Sequence, residues 1–129
     1  FCGNALACAS ALTIIDIMEK EDFAGKAVTM AEKLHKHFDT WKEKYEVVGD
    51  VRGTGCMMGI EFVTSKETKE PATKLVGDIV QYAAHHGLVL EAAGTYSNVI
   101  RCLAPLVMTD EQLEAGCAIL EEAIVACSK

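Results

Sequence analysis

One charged residue sits inside a stretch that otherwise reads as apolar strand. Arg101 lies in V-I-R-C-L, with two apolar residues on each side. A guanidinium taken from water costs several kcal/mol unless a partner compensates it. Strand alternation puts Arg101 on the same face as Val99 and Leu103, so that face is either partly open or holds an anion. The turn just upstream, Gly94-Thr95-Tyr96-Ser97-Asn98, offers backbone amides, hydroxyls and an amide side chain. Arginine suits a carboxylate because its planar fork donates two parallel hydrogen bonds. Two readings stay open. Arg101 is structural, paired with an internal Asp or Glu or lying at an exposed strand edge, or it binds a ligand anion. Arg52, in D-V-R-G-T-G, sits beside a turn and reads as structural, paired with Asp50 or a helix C-terminus.

Other chemistry is harder to assemble. Asp16, Glu19, Glu61 and Glu91 are scattered and mark no general acid–base pair. The serines lack a nucleophile-elbow context. Four histidines form no H-E-x-x-H and no His/Cys cluster, so no metal site is expected. Gly53, Gly55 and Gly59 follow G-x-G-x-x-x-G and lead into strand-like residues, which fails the dinucleotide fingerprint in spacing and in context. Cysteines stand at positions 2, 8, 56, 102, 117 and 127, without a C-x-x-C pair and mostly in apolar runs. They are expected to be reduced cytosolic thiols that pack as small hydrophobes.

The whole chain has 129 residues, 50% hydrophobic and 24% charged, which suits one domain. Twelve basic against nineteen acidic residues give a net charge of −7, which disfavours nucleic acid as a partner. No apolar run is long enough to span a bilayer, and no leader pattern opens the chain. With only two prolines and high apolar content, wholesale disorder is excluded.

Asn4 predicts the cap of a first helix, Ala5 onward, that is apolar almost all round before Asp16. Such a helix needs neighbours on several sides, which suggests a part of something larger. Asp22 predicts the cap of a second helix toward Tyr45, with Phe23, Ala27, Met30, Leu34, Phe38, Trp41 and Tyr45 as its buried stripe. Residues 47–63 read as two strands joined by a turn at Gly53-Thr54-Gly55. Lys74 to His86 reads as a helix ended by Gly87. Strands are predicted at Leu88–Glu91 and Val99–Leu103, and Thr109-Asp110-Glu111-Gln112 is a capping box opening the last helix. The fold class is therefore α/β (α+β), a small sheet with helices packed against it.

Three segments, in order, carry a family resemblance. F-C-G-N-A-L-A-C-A-S-A-L, G-D-V-R-G-T-G-C-M-M-G-I-E-F-V, and G-T-Y-S-N-V-I-R-C-L-A-P-L followed by T-D-E-Q-L together resemble the C-terminal part of class III aminotransferases. The third segment is most similar to the 4-aminobutyrate branch. The resemblance implies that residues 1–129 are the C-terminal small domain of a fold-type I transferase dependent on pyridoxal phosphate, with a small, mainly antiparallel sheet. It implies a parent enzyme, cytoplasmic and homodimeric, that moves an amino group from 4-aminobutyrate to 2-oxoglutarate. Small amino and oxo acids are its partners, and a large domain outside this chain holds most of the cofactor.

By the same resemblance Arg101 binds a substrate carboxylate and Gly94 lies in the same pocket-side turn. Gly3 and Asn4 fall just after the family's cofactor-phosphate threonine. The cofactor's lysine belongs to the large domain, so no residue here is catalytic and this chain alone is expected to be inactive. Cys2, Ala5 and Ala104 depart from the pattern, changing backbone stiffness more than chemistry. The alternatives are a sister specificity (ornithine, acetylornithine or β-alanine), a non-catalytic carboxylate-binding domain, and a structural or dimerisation module.

Overall fold

The computed structural model describes residues 3–129, so Cys2 lies outside the described residues. Helix α1 (Ala5–Lys20) is capped by Asn4, whose side-chain oxygen accepts from the amides of Leu6 and Ala7 at 3.0 and 3.2 Å. None of its residues is buried, and Leu6 and Leu12 stand 77% and 66% exposed. Helix α2 (Phe23–Lys44) is capped by Asp22, whose carboxylate accepts from the Gly25 amide at 3.1 Å. Met30, Leu34, Phe38 and Trp41 are buried along it, four positions of the predicted stripe. Among the described residues no helix is long and apolar enough to cross a membrane.

Strands β1 (Val48–Thr54) and β2 (Met57–Phe62) form a hairpin, α3 (Thr73–His85) follows, then β3 (Glu91–Ala93), β4 (Val99–Leu103) and α4 (Asp110–Cys127). The sheet order is β1-β2-β4-β3, and every pairing is antiparallel. Pleating divides this sheet cleanly. Met58, Ile60, Phe62 and Ile100 point into the core, where they meet Leu34, Phe38 and Trp41 of α2, Val76 and Ile79 of α3, and Leu120 and Ile124 of α4. Burying each such side chain contributes roughly 1.5–3 kcal/mol, which fixes the sheet's inner face and thereby its register. The Thr109–Gln112 capping box opens α4 as expected.

Two boundaries differ from the sequence reading. The hairpin turn is Gly55-Cys56, because β1 runs on through Thr54, which pairs with Met57. Gly55 takes a φ of +59°, whereas Gly53 is a strand residue pressed against its neighbour: a Cβ there would lie 2.3 Å from the Met57 carbonyl oxygen. The third strand begins at Glu91, not Leu88. The Leu88 amide donates to the Ala83 carbonyl at 2.9 Å and the Gly87 amide to Ala84 at 3.3 Å, a Schellman closure of α3. That leaves Leu88 no donor for a ladder, and Leu88 and Leu90 pack on the core instead.

Candidate carboxylate site on the open face of the sheet

Residues directly opposite one another across paired strands share a face. Arg52 pairs with Gly59, Gly59 with Arg101, and Arg101 with Glu91. One row therefore crosses all four strands as Arg52, Gly59, Arg101, Glu91, on the side away from the core. Met57 and Leu103 make the next row, and both are exposed, as are Arg52, Arg101 and Glu91.

Solvent reaches Arg101 despite its apolar neighbours in sequence: its side chain is 43% exposed. The apolar neighbours Ile100 and Cys102 point to the opposite face, so flanking residues in sequence are not flanking residues in space. The open-face alternative of the sequence reading holds. Arg101 donates through Nη2 to the Glu91 carboxylate, and the two side chains form an ion pair.

Arg52 is structural in the sense expected and more so. Its Nη1 lies 3.0 Å from Asp50 and 2.6 Å from Glu61. Hydrogen bonding to Glu61 first, then Asp50, strengthens its hold on the proton. Burial pushes the Asp50 carboxyl up, but hydrogen bonds from Lys42 and Arg52 together outweigh it and hold the group below its ordinary value. The guanidinium of Arg52 is thus satisfied from within the domain.

The turn leading into β4 is pinned at several atoms. Asn98 is buried; its Nδ2 donates to the Phe62 carbonyl at 3.0 Å, and its own carbonyl accepts from the Phe62 amide at 2.7 Å. Thr73 donates its hydroxyl to the Tyr96 carbonyl at 2.5 Å, and the Ser97 amide donates to the Gly94 carbonyl at 3.1 Å. Gly94 itself sits at φ +85°, with Val99 so close that a Cβ would lie 3.1 Å from Cγ2. It stands at the end of β3, beyond the Ala93–Val99 row, which neighbours the Arg101 row. The turn thereby fixes where β4 starts, and β4 fixes Arg101. Glu91 is the residue that sequence reasoning missed. The register supplies what the sequence does not: Ala93 pairs with Val99 across the turn, which puts Glu91 opposite Arg101 two residues on.

The Aminotransferase class-III family model matches residues 1–124. The chain belongs to the class III aminotransferases. It is 41% identical over 122 residues to the 5-aminovalerate aminotransferase DavT of Pseudomonas aeruginosa, covering 95% of this chain and 29% of that protein. Identity to the 4-aminobutyrate aminotransferase GabT of Escherichia coli K12 is 36%, with the same coverage of 95% and 29%. The alanine/serine racemase of Pyrococcus horikoshii is 37% identical, covering 95% of this chain and 25% of that protein. Among solved structures, a Bacillus anthracis aminotransferase superposes with a TM-score of 0.86 at 30% identity, covering 96% of this chain and 29% of that one. An amine transaminase from an uncultivated Pseudomonas species, in its PLP-bound form, gives 0.82 at 33% identity, covering 94% and 27%. This class III aminotransferase chain thus spans under a third of the curated relatives it matches.

Family membership implies pyridoxal phosphate as the cofactor, and five of the chain's lysines are poorly suited to condense with its aldehyde. A lysine that condenses with an aldehyde must shed its proton, through desolvation or neighbouring cations. Lys42, Lys44 and Lys74 face the other way: hydrogen bonds to Asp50, Glu121 and Asp78 respectively raise each above its ordinary value. Lys33 is committed to Asp110 and Lys66 to the Lys42 carbonyl. Among the described residues no three His, Cys, Asp or Glu groups gather as a metal site.

Proposed function

We propose that residues 1–129 form the C-terminal small domain of an aminotransferase that takes its amino group from an ω-amino acid, 4-aminobutyrate or its one-carbon-longer homologue 5-aminovalerate, and delivers it to 2-oxoglutarate. The observation that carries this reading is Arg101, displayed on the open face of the sheet and already holding a carboxylate. In this reading a substrate carboxylate takes the place of the Glu91 carboxylate on the guanidinium fork. The fork fixes the acid end of the substrate, so that the amine, several bonds away, is presented at a set distance. Pyridoxal phosphate, held by the rest of the enzyme, supplies the electron sink for the chemistry.

The remaining residues of this site position. Asn98 and the Gly94 turn hold the start of β4, and the inner-face residues Ile100 and Cys102 lock its pleat. Gly59 contributes no side chain between Arg52 and Arg101, which leaves the row open to an incoming ligand. The same reading makes the parent a cytoplasmic homodimer. The identity to DavT favours 5-aminovalerate as the second donor to test.

The test uses the full-length holoenzyme and its Arg101→Lys variant. Lysine keeps the charge and loses the bidentate fork. The apparent affinity for both carboxylate substrates, the amino donor and 2-oxoglutarate, should therefore weaken, on the order of tenfold for one strong hydrogen bond lost. Addition of 4-aminobutyrate or 5-aminovalerate to the yellow holoenzyme should bleach its cofactor band. Unchanged Michaelis constants for both carboxylate substrates would remove Arg101 from the site.

A further inference from the structure

We propose that the cavity between β4 and α4 is a dithiol site, in which Cys102 and Cys117 together bind a small, neutral, trivalent arsenical. Neither thiol takes part in the carboxylate chemistry assigned to Arg101, so the two readings stand or fall separately.

Position carries the first part of the argument. Cys102 stands on the core side of β4, directly opposite Met58 of β2. Cys117 is buried in the middle of α4, on the same face as Leu113, Leu120 and Ile124. Both cysteines are free, and both line one cavity of about 170 Å³ walled by Leu34, Leu113 and Leu120. A strand and a helix, rather than loops, therefore present the two sulfurs to a common space. Burial first and Cys102 second push the Cys117 thiol up, so each sulfur lies within electrostatic reach of the other. Cys56 bears on Cys102 in the same way but does not line the cavity.

The chemistry of the walls selects the ligand. Burial keeps both thiols protonated at neutral pH, which makes them poor targets for reagents that attack a thiolate. Apart from the thiols, only Arg101 and Gln112 bring polar side chains to the lining, and Arg101 is paired with Glu91. A charge brought inside would find little to compensate it. A trivalent arsenical brings none. Phenylarsine oxide, hydrated to its dihydroxide, exchanges two As–O bonds for two As–S bonds. Each thiol proton leaves with a hydroxide as water, arsenic stays trivalent, and every species is neutral. Once one sulfur is bound, the second bond forms within the molecule, so the pair holds the ligand far more tightly than either thiol alone. An apolar cavity of roughly 150 Å³ accommodates a benzene ring, so the phenyl group has a place against the leucines.

The experiment loads the full-length holoenzyme with phenylarsine oxide and counts the arsenic retained per chain after gel filtration. One wash contains excess mercaptoethanol, a monothiol, and the next contains ethanedithiol. The wild type, Cys102→Ala, Cys117→Ala, Cys56→Ala and Cys8→Ala are compared, with the cofactor band and the melting temperature checking that each variant is folded. The wild type should keep arsenic through the monothiol and release it to the dithiol. Cys102→Ala and Cys117→Ala should each retain one equivalent less than the wild type, whereas Cys56→Ala and Cys8→Ala should match it. A wild type that keeps no arsenic through the monothiol overturns the proposal, whatever the variants do. Full retention by folded Cys102→Ala or Cys117→Ala overturns it too. A loss in Cys56→Ala in place of Cys117→Ala gives the second thiol to Cys56 and overturns the pairing.

Discussion

Replacing Gly94 with alanine tests whether the turn before β4 is as constrained as its geometry indicates. At φ +85° an L side chain sits in the left-handed region, which costs about 1–2 kcal/mol. The new Cβ would also lie 3.1 Å from Val99 Cγ2, and Val99 is only 9% exposed, so it has little room to give. That contact places the loss toward the upper end of the range. For a chain of this size roughly 3–5 °C of melting temperature accompanies each kcal/mol, so Gly94→Ala should lower Tm by about 3–10 °C. Trp41 is the single tryptophan and is 1% exposed, which makes its fluorescence a clean reporter of unfolding in urea. The matched control is Gly77→Ala within α3, where nothing lies within 4 Å of an added Cβ. There the helix gains roughly 0.5–1 kcal/mol. A Gly94→Ala variant as stable as the parent would refute the reasoning, and so would a Gly77→Ala variant that loses as much as Gly94→Ala.

Other consequences are measurable on the same polypeptide. Asn98→Asp sets a carboxylate against the Phe62 carbonyl where Nδ2 now donates; stability should fall by about 1–3 kcal/mol at neutral pH. Because the folded-state pKa of that new group is raised, the loss should vanish as pH drops below the ordinary aspartate range, which urea titrations at two pH values would reveal. Glu121, held below its usual 4.5 by Lys44 and then Tyr45, contributes stability that is present above that pH and lost as pH falls through the lower folded value. Glu121→Gln should accordingly flatten the acid limb of the stability profile. Burial pushes the Cys117 thiol up to about 12, so maleimide at neutral pH should label exposed Cys8 well before Cys117, as mass spectrometry of digests would show. The uncovered apolar surface of α1 should bind hydrophobic dyes and drive self-association of this polypeptide; monodisperse sedimentation as a monomer would contradict that.

Much of the architecture was legible in the sequence because its signals were local. Asn4, Asp22 and the Thr109–Gln112 box announced helix starts through side chains that satisfy nearby amides, and the α2 stripe announced its buried face through spacing alone. The start of β3 was not legible, since Leu88 looks like a strand residue until its amide is seen closing α3. The site was half legible. Arg101 stood out by type, but its exposure depends on which face of β4 the helices cover, and its partner depends on a register set across the Gly94 turn. Both are facts of tertiary pairing. Glu91 carries no mark of its own in the sequence; only its place opposite Arg101 gives it meaning.

The sheet separates two kinds of selection. Along β4 the even positions, Ile100 and Cys102, answer to packing, while the odd positions, Arg101 and Leu103, answer to whatever approaches from outside. The same division runs through β2, with Met58 and Ile60 inward and Met57 and Gly59 outward. A change at 57, 59, 91, 101 or 103 can therefore alter the chemistry of the open face while the core side of the same backbone stays as it was. A scaffold insulated in this way can change its outer surface by single steps without first solving a new folding problem.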